Sequence, residues 1–150
     1  MKTIKEISSL ETYSVRHPVL REGQSMESCK FDGDDLTSTI HLGLYINAAL
    51  VGVVSVFEKN YVFFDSKKQF QVRGVAVLKH HQKMGYGEEL LLEAENHAVK
   101  YYGTLIWFNA RENAVGFYKK KDYAICGDPF FIENIGKHFV MYKNLNPIRY

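Results

Sequence analysis

The stretch from Phe70 to Tyr101 constrains this chain most, because it reads as a strand, a glycine-bearing turn and a helix in immediate succession. Phe70-Gln-Val-Arg-Gly-Val-Ala-Val-Leu78 is apolar and β-branched, with too little polar alternation for a strand wetted on one face. Its neighbours must cover both sides. Lys79-His-His-Gln-Lys-Met-Gly-Tyr-Gly87 follows, and from Glu88 to Tyr101 the residues Leu90, Leu91, Ala94, His97, Ala98 and Tyr101 recur at helical spacing. A helix opening behind a glycine turn presents N–H groups with no intrahelical acceptor, at the positive end of its dipole. A phosphate satisfies both. Gly85 and Gly87 let the backbone take positive φ, so that several amides can curl around one anion, and let a ligand approach where a Cβ would collide. Lys79, Lys83 and His80 or His81 add positive charge around the turn, while Glu88 and Glu89 oppose it at short range. The same glycines would also serve a connection whose only need is geometry.

The pattern separates phosphate ligands. A dinucleotide fingerprint requires a third glycine where this chain has Leu90, and an acidic residue at the end of the next strand, where it has Asn109. The G-x-x-x-x-G-K-[ST] nucleotide loop is absent as well. What remains is Gln82-x-x-Gly85-x-Gly87, preceded by Val75-Ala-Val77 and followed by Asn109 and Asn113-Ala-Val-Gly-Phe-Tyr118. In that order these segments resemble the GCN5-related N-acetyltransferase (GNAT) family, whose Gln/Arg-x-x-Gly-x-Gly/Ala loop cradles the pyrophosphate of acetyl-coenzyme A. The likeness covers residues 40 to 145 and is loose before them.

The resemblance implies an α/β (α+β mixed) single domain over residues 1–150, with a mixed, largely antiparallel sheet splayed between two parallel strands and flanked by helices. It implies acetyl-coenzyme A as acyl donor, no metal, and a small-molecule or peptide amine as acceptor. Gln82, Lys83, Met84, Gly85, Tyr86, Gly87 and Glu88 would hold the diphosphate. Val75, Ala76 and Val77 would lie along the pantetheine arm and supply the oxyanion donor, with Asn109, Asn113 and Phe117 beside the arm. Asn113 would also cap the helix running to about Lys120. Tyr118 would protonate the leaving thiolate. The chain departs from the family's pattern at the base: the central strand carries Arg73 and no glutamate. His138, His41 or a water held by them would take that role, since a neutral imidazole accepts a proton near pH 7, and Arg73 could orient an acidic acceptor group. A second reading follows from the missing glutamate, a catalytically weak acyl-coenzyme A sensor. A third, a nucleotide-binding protein, is disfavoured by Leu90 and Asn109.

Composition narrows the remaining classes. With 150 residues, 46% hydrophobic and 24% charged, the chain suits one soluble globular domain. A net charge of +2, with no basic run beyond Lys119-Lys-Lys121, argues strongly neither for nor against nucleic acid, and no such partner is expected. No apolar run approaches a membrane span, the N-terminus lacks a signal-peptide core, and Cys29 and Cys126 have neither metal nor redox spacing. The expectation is a cytoplasmic protein with no membrane partner, and a homodimer is compatible with it.

Elsewhere the residues predict a strand over Thr3–Ile7 and a helix capped by Ser8 or Ser9, reaching about Val15 and interrupted by Pro18. Arg16 and Arg21 read as surface residues or as holders of a substrate carboxylate or phosphate. Phe31-Asp-Gly-Asp-Asp35 reads as a solvated turn. Thr39–Tyr45 and Ala49–Phe57 form a hairpin, with Gly52 marking a bulge or a close approach. Gly103 ends the long helix. Strands are expected over Thr104–Phe108, Tyr123–Cys126 and His138–Lys143, with a loop from Gly127 to Lys137.

Overall fold

The computed structural model describes residues 1–146. Seven strands form one sheet in the order β1 (Lys2–Ile7), β2 (Ile40–Ile46), β3 (Ala49–Glu58), β4 (Gln69–Val77), β5 (Leu105–Arg111), β7 (Gly136–Asn144) and β6 (Ala124–Ile132). The helices are α1 (Tyr13–Leu20), α2 (Tyr86–Lys100) and α3 (Val115–Lys119). β1 with β2, β2 with β3, β5 with β7 and β6 with β7 pair antiparallel. β4 and β5 run parallel through Gln69–Leu105, Phe70–Ile106 and Gln71–Trp107, so the parallel register ends three residues into a nine-residue strand. This mixed sheet with a parallel pair is the expected fold class. Contacts group the chain into two compact units: residues 1–58 with 72–97, and residues 59–71 with those from 98 onward.

In the first unit the core gathers Ile7, Val15, Val53 and Ala76, with Val19, Leu20, Tyr45, Leu50 and Leu78 packed against them. Ser8 and Glu11 bond reciprocally at the 3-10 turn Leu10–Thr12 that leads into α1: the Ser8 hydroxyl accepts from Glu11 N–H at 3.2 Å, and the Glu11 carboxylate accepts from Ser8 N–H at 2.9 Å. That reciprocal pair is a capping box. Pro18 lies inside α1 instead of interrupting it. Its missing N–H costs one bond in a helix that stops two residues later, where Arg21 N–H reaches His17 O at 3.0 Å. The β2–β3 hairpin turns through Asn47 (φ 49°) and Ala48 (φ 73°), both left-handed, as a two-residue turn matched to strand twist requires. Val51 is the extra residue of a bulge opposite Leu44 and Tyr45. Gly52 beside it allows a close approach, since a Cβ there would stand 3.0 Å from Leu90 Cδ1.

In the second unit Leu105, Trp107 and Val140 are the buried centre, surrounded by Tyr61, Phe64, Cys126, Phe130 and Tyr142. Trp107 Nε1–H donates to Lys59 O at 2.9 Å, which satisfies the one polar atom of that buried ring. Gly103 does not itself end α2. Tyr102 takes the left-handed position at φ 63°, and the N–H groups of Gly103 and Tyr102 close on Ala98 O (2.7 Å) and Val99 O (3.1 Å). Those two bonds make a Schellman cap. Glycine is required at 103 for space: a Cβ would lie 2.7 Å from Phe70 Cδ2 and 2.9 Å from Ala98 O. The backbone oxygen cannot step aside, so Gly103→Ala should cost about 1–3 kcal/mol, measured as a lower urea midpoint at unchanged m-value. A midpoint equal to the parent's would show that the cap has room to shift.

Three strand limits differ from expectation. β5 continues to Arg111, so Asn109 lies within it, paired with Val140, and not at its end. β6 continues from Ala124 to Ile132 through a register shift between Cys126 and Phe130, where a long loop was expected. Pro129 has no N–H to offer a ladder, and β6 tolerates it at the end of the sheet order. β7 starts at Gly136, two residues before His138. Tyr101, expected on the buried face of α2, is 48% exposed because the helix ends at Lys100.

Candidate active site

After β4 the chain makes a 3-10 turn at Lys79–His81 and reaches Gln82, whose Nε2–H donates to Val77 O at 2.8 Å. That bond folds the loop back onto the end of β4. Lys83 (φ 65°) and Gly85 (φ 82°) are left-handed, which turns successive amides to one side. Of the two uses expected of Gly87, positive φ is not the one taken, because α2 starts at Tyr86 and places Gly87 in its first turn. Packing does not demand glycine at 87, since a Cβ there would meet only Val75 Cγ1, at 3.7 Å, an ordinary contact; the remaining expected use is a ligand's approach. The first intrahelical bond runs from Glu89 N–H to Gly85 O at 3.0 Å, so the amides of Gly85, Tyr86 and Gly87 have no intrahelical acceptor. Gln82, Lys83, Met84, Gly85 and Glu88 are exposed, Tyr86 is half-buried, and Lys2 pairs with Glu89, offsetting one acidic charge at the helix start. Val75, Ala76 and Val77 lie on the strand that leads into the loop. The first unit therefore assembles the whole predicted loop and strand set, and its spare amides and bare glycine fit a diphosphate.

In the second unit Tyr118 sits half-buried in α3, its ring 4.6 Å from Phe108, 5.3 Å from Phe117 and 6.2 Å from Tyr123, centroid to centroid. Burial pushes its phenol above the ordinary value of 10.0, so the group holds its proton throughout the neutral range. Asn113 does not cap α3. It lies exposed in a 3-10 turn, Glu112–Ala114, which runs directly into α3, and Ala114 holds the cap position without a side-chain bond. Asn109 and Phe117 are exposed as well. His138 is 6% exposed, and its Nδ1 lies 2.9 Å from Gly136 O. A carbonyl only accepts, so Nδ1 carries the proton and the lone pair is at Nε2. The ring of Phe130 lies 5.7 Å from it.

His41 is removed as a base by its surroundings. It is 4% exposed, with Nε2 2.9 Å from Asp34 O and Nδ1 2.6 Å from Ser55 Oγ. The carbonyl fixes the proton on Nε2, and the lone pair on Nδ1 then accepts from the Ser55 hydroxyl. Arg16 and Asp34 correct two further expectations, since neither is on the surface. Arg16 is fully buried and forks onto the Asp34 carboxylate at 2.7 and 3.1 Å, with Cys29 O and Ser55 Oγ each 2.8 Å away. Asp34 also accepts from Phe31 N–H at 3.0 Å. The sequence carries no local signal for this network, whose members are spread from residue 16 to residue 55. Gly74 was missed too, although a glycine inside a strand is a recognisable mark: it is left-handed at φ 67° and breaks the side-chain alternation of β4. Among the described residues no three His, Cys, Asp or Glu side chains gather as a metal site.

The loop, the strand before it and the mixed sheet define a coenzyme-binding acyltransferase scaffold. Residues 4–123 match the Acetyltransferase (GNAT) family. An uncharacterized N-acetyltransferase of Bacillus subtilis strain 168, YitI, is 33% identical over 149 residues, covering 99% of this chain and 100% of that protein. Among solved structures, an N-acetyltransferase from Lactobacillus plantarum superposes with a TM-score of 0.76 at 20% identity, over 97% of this chain and 99% of that one. An aminoglycoside 6'-N-acetyltransferase complexed with coenzyme A does so with a TM-score of 0.75 at 15% identity, over 98% and 99%. The chain belongs to the GNAT family. It is an acetyltransferase that draws its acyl group from acetyl-coenzyme A and delivers it to an amine.

Proposed function

We propose that the protein acts as one domain, binds acetyl-coenzyme A through its 82–88 loop, and transfers the acetyl group directly to the amine of a small molecule or peptide. The observation that carries this reading is the loop itself: amides of Gly85, Tyr86 and Gly87 with no intrahelical acceptor, on a loop tied by Gln82 to the carbonyl end of β4 and carrying glycine at positions 85 and 87. The donor, when bound, supplies the activated thioester. An amide of Val75–Val77 polarises its carbonyl, Tyr118 returns a proton to the departing sulfur, and Asn109, Asn113 and Phe117 steady the arm. His138 takes the amine's proton through Nε2. Holding two substrates in line contributes on the order of 7–11 kcal/mol by itself, so this short roster of side chains suffices. The family match runs from residue 4 to 123 and so through both compact units, which supports a single functional domain.

A cytoplasmic site of action accords with two unpaired cysteines and with the absence, among the described residues, of any helix long and apolar enough to cross a membrane. Nucleic acid is not expected as a partner. Titration calorimetry tests the central step. Acetyl-coenzyme A should bind the parent protein, and Gly87→Glu should weaken it at least about tenfold by placing a carboxylate and its stem where the diphosphate approaches. A melting curve like the parent's is expected for that variant, because a Cβ at 87 meets only a van der Waals contact. If the variant binds as the parent does, the loop does not hold the donor.

A further inference from the structure

In the first unit three guanidinium groups surround the ring of Phe31: Arg16 with Cζ 3.8 Å from the ring centroid, Arg73 at 4.7 Å and Arg21 at 5.4 Å. Their charges are treated unequally. Arg16 is matched by Asp34. Arg21 gives Nε–H to Ser28 O at 3.1 Å and Nη1–H to Leu20 O at 3.0 Å, both neutral acceptors. Arg73, half-buried on β4, touches the faces of Phe31 and of Phe57 (5.6 Å) and makes neither a hydrogen bond nor an ion pair among the described residues. Five N–H donors are left without a protein acceptor in a place that water reaches only in part.

The surroundings make that charge costly. Burial lowers the affinity of Arg73 for its proton, Arg16 and Arg21 act in the same direction, and Asp34 and Asp32 oppose them. Arg16 Nε is also buried without a hydrogen-bond partner among the described residues, 3.7 Å from where a Cβ on Gly74 would be. A Cβ at that position would also come 2.6 Å from Phe31 Cε2, so the left-handed glycine next to Arg73 leaves the aromatic platform and its cations undisturbed. Two phenyl faces hold the Arg73 fork and supply no acceptor, and two uncompensated cations flank one ring. What this arrangement lacks is an anion with two oxygens.

We infer that the acceptor amine carries an anionic group, a carboxylate or a phosphate, which seats on Arg73 beside Phe31 with Arg21 adding charge. The inference rests on the donor assignment above, because it is the acyl arm along Val75–Val77 that gives the bound anion its place in the reaction. Arg73 is two residues from Val75, with left-handed Gly74 between them, so at most about 7 Å of chain separates the two. That span sets the acceptor's size: an amine a few bonds from its anion, as in an amino acid or an amino phosphate, and not a polyamine. Arg73 is then a specificity-determining residue at the strand position where a carboxylate was missing.

The test pairs each acidic amine with its neutral isostere, carboxylate against amide and phosphate against methyl ether, and adds polyamines, with coenzyme A release as the readout. The parent should favour the acidic member by about 100-fold in kcat/KM, the discrimination expected where a buried charge is left unpaired by the neutral substrate. Arg73→Gln should bring that ratio near one, mainly through KM, and Arg73→Lys should restore part of it. The two anion classes are told apart by which pair shows the larger ratio. Equal or greater turnover of neutral amines or polyamines by the parent overturns the inference, and so does a ratio that survives Arg73→Gln. If no amine in the panel turns over, thermal shift decides: glutarate or inorganic phosphate at millimolar concentration should raise the Tm of the parent and not of Arg73→Gln, and equal shifts overturn the inference. Failure of the donor assignment registers separately, as an absence of calorimetric heat with acetyl-coenzyme A in both proteins.

Discussion

Asp34→Ala will destabilise the protein by about 3–5 kcal/mol, as large a change as any single substitution here should produce. The Arg16 side chain is fully buried, and among the described residues Asp34 supplies the only carboxylate that pairs with it, at 2.7 and 3.1 Å. Remove that carboxylate and a guanidinium is left inside with only Cys29 O and Ser55 Oγ for company. The loop amide of Phe31 loses its acceptor in the same step. Replacing both ionic partners together, Arg16→Met with Asp34→Leu, should recover much of the loss, because an apolar pair of similar volume needs no compensating charge. Urea denaturation at several temperatures measures all three proteins. A single variant within 1 kcal/mol of the parent would mean that water enters the network freely.

Tyr118→Phe will lower kcat by about 10²–10⁴-fold while leaving the heat of acetyl-coenzyme A binding in place. The phenyl ring that remains still packs on Phe108, Phe117 and Tyr123, so the substitution removes a proton donor without opening a cavity. The sign of the pH effect follows from burial. The raised phenol keeps its proton through the neutral range, so the alkaline limb it contributes to a pH–rate profile lies above 10. The same variant separates an enzyme from a sensor. A parent that binds the coenzyme and releases none of it as product, over a panel that includes acidic amines, is a sensor, and Tyr118→Phe then changes nothing.

Much of the coenzyme site was legible because its requirements are local. A strand, a glycine turn and a helix in sequence order dictate where amides are left over, and Gln82, Gly85 and Gly87 lie within one turn of each other. Even there spacing did not separate the two uses of Gly87, because four residues of helix, Tyr86 to Glu89, lie before the apolar repeat starts at Leu90. The parts that escaped the sequence are long-range. Arg16, Asp34, His41 and Ser55 come from α1, a loop and two strands, and each taken alone is an ordinary polar residue. Pro18 and Asn113 were misjudged for a third reason: a helix two residues from its end tolerates a proline, and a 3-10 turn feeding a helix needs no capping side chain. His41 shows how a plausible base is lost once both ring nitrogens find partners.

One topological detail bears on how the protein is made. β7 is synthesised after every other described strand, yet it lies between β5 and β6, bonded to both. On the ribosome, β5 and β6 therefore emerge without the element that joins them, and that half of the sheet waits for Asn144 to clear the exit tunnel before its ladders can zip. Nascent chains stalled before that point should leave two adjacent hydrogen-bonding edges exposed, a natural target for holding chaperones.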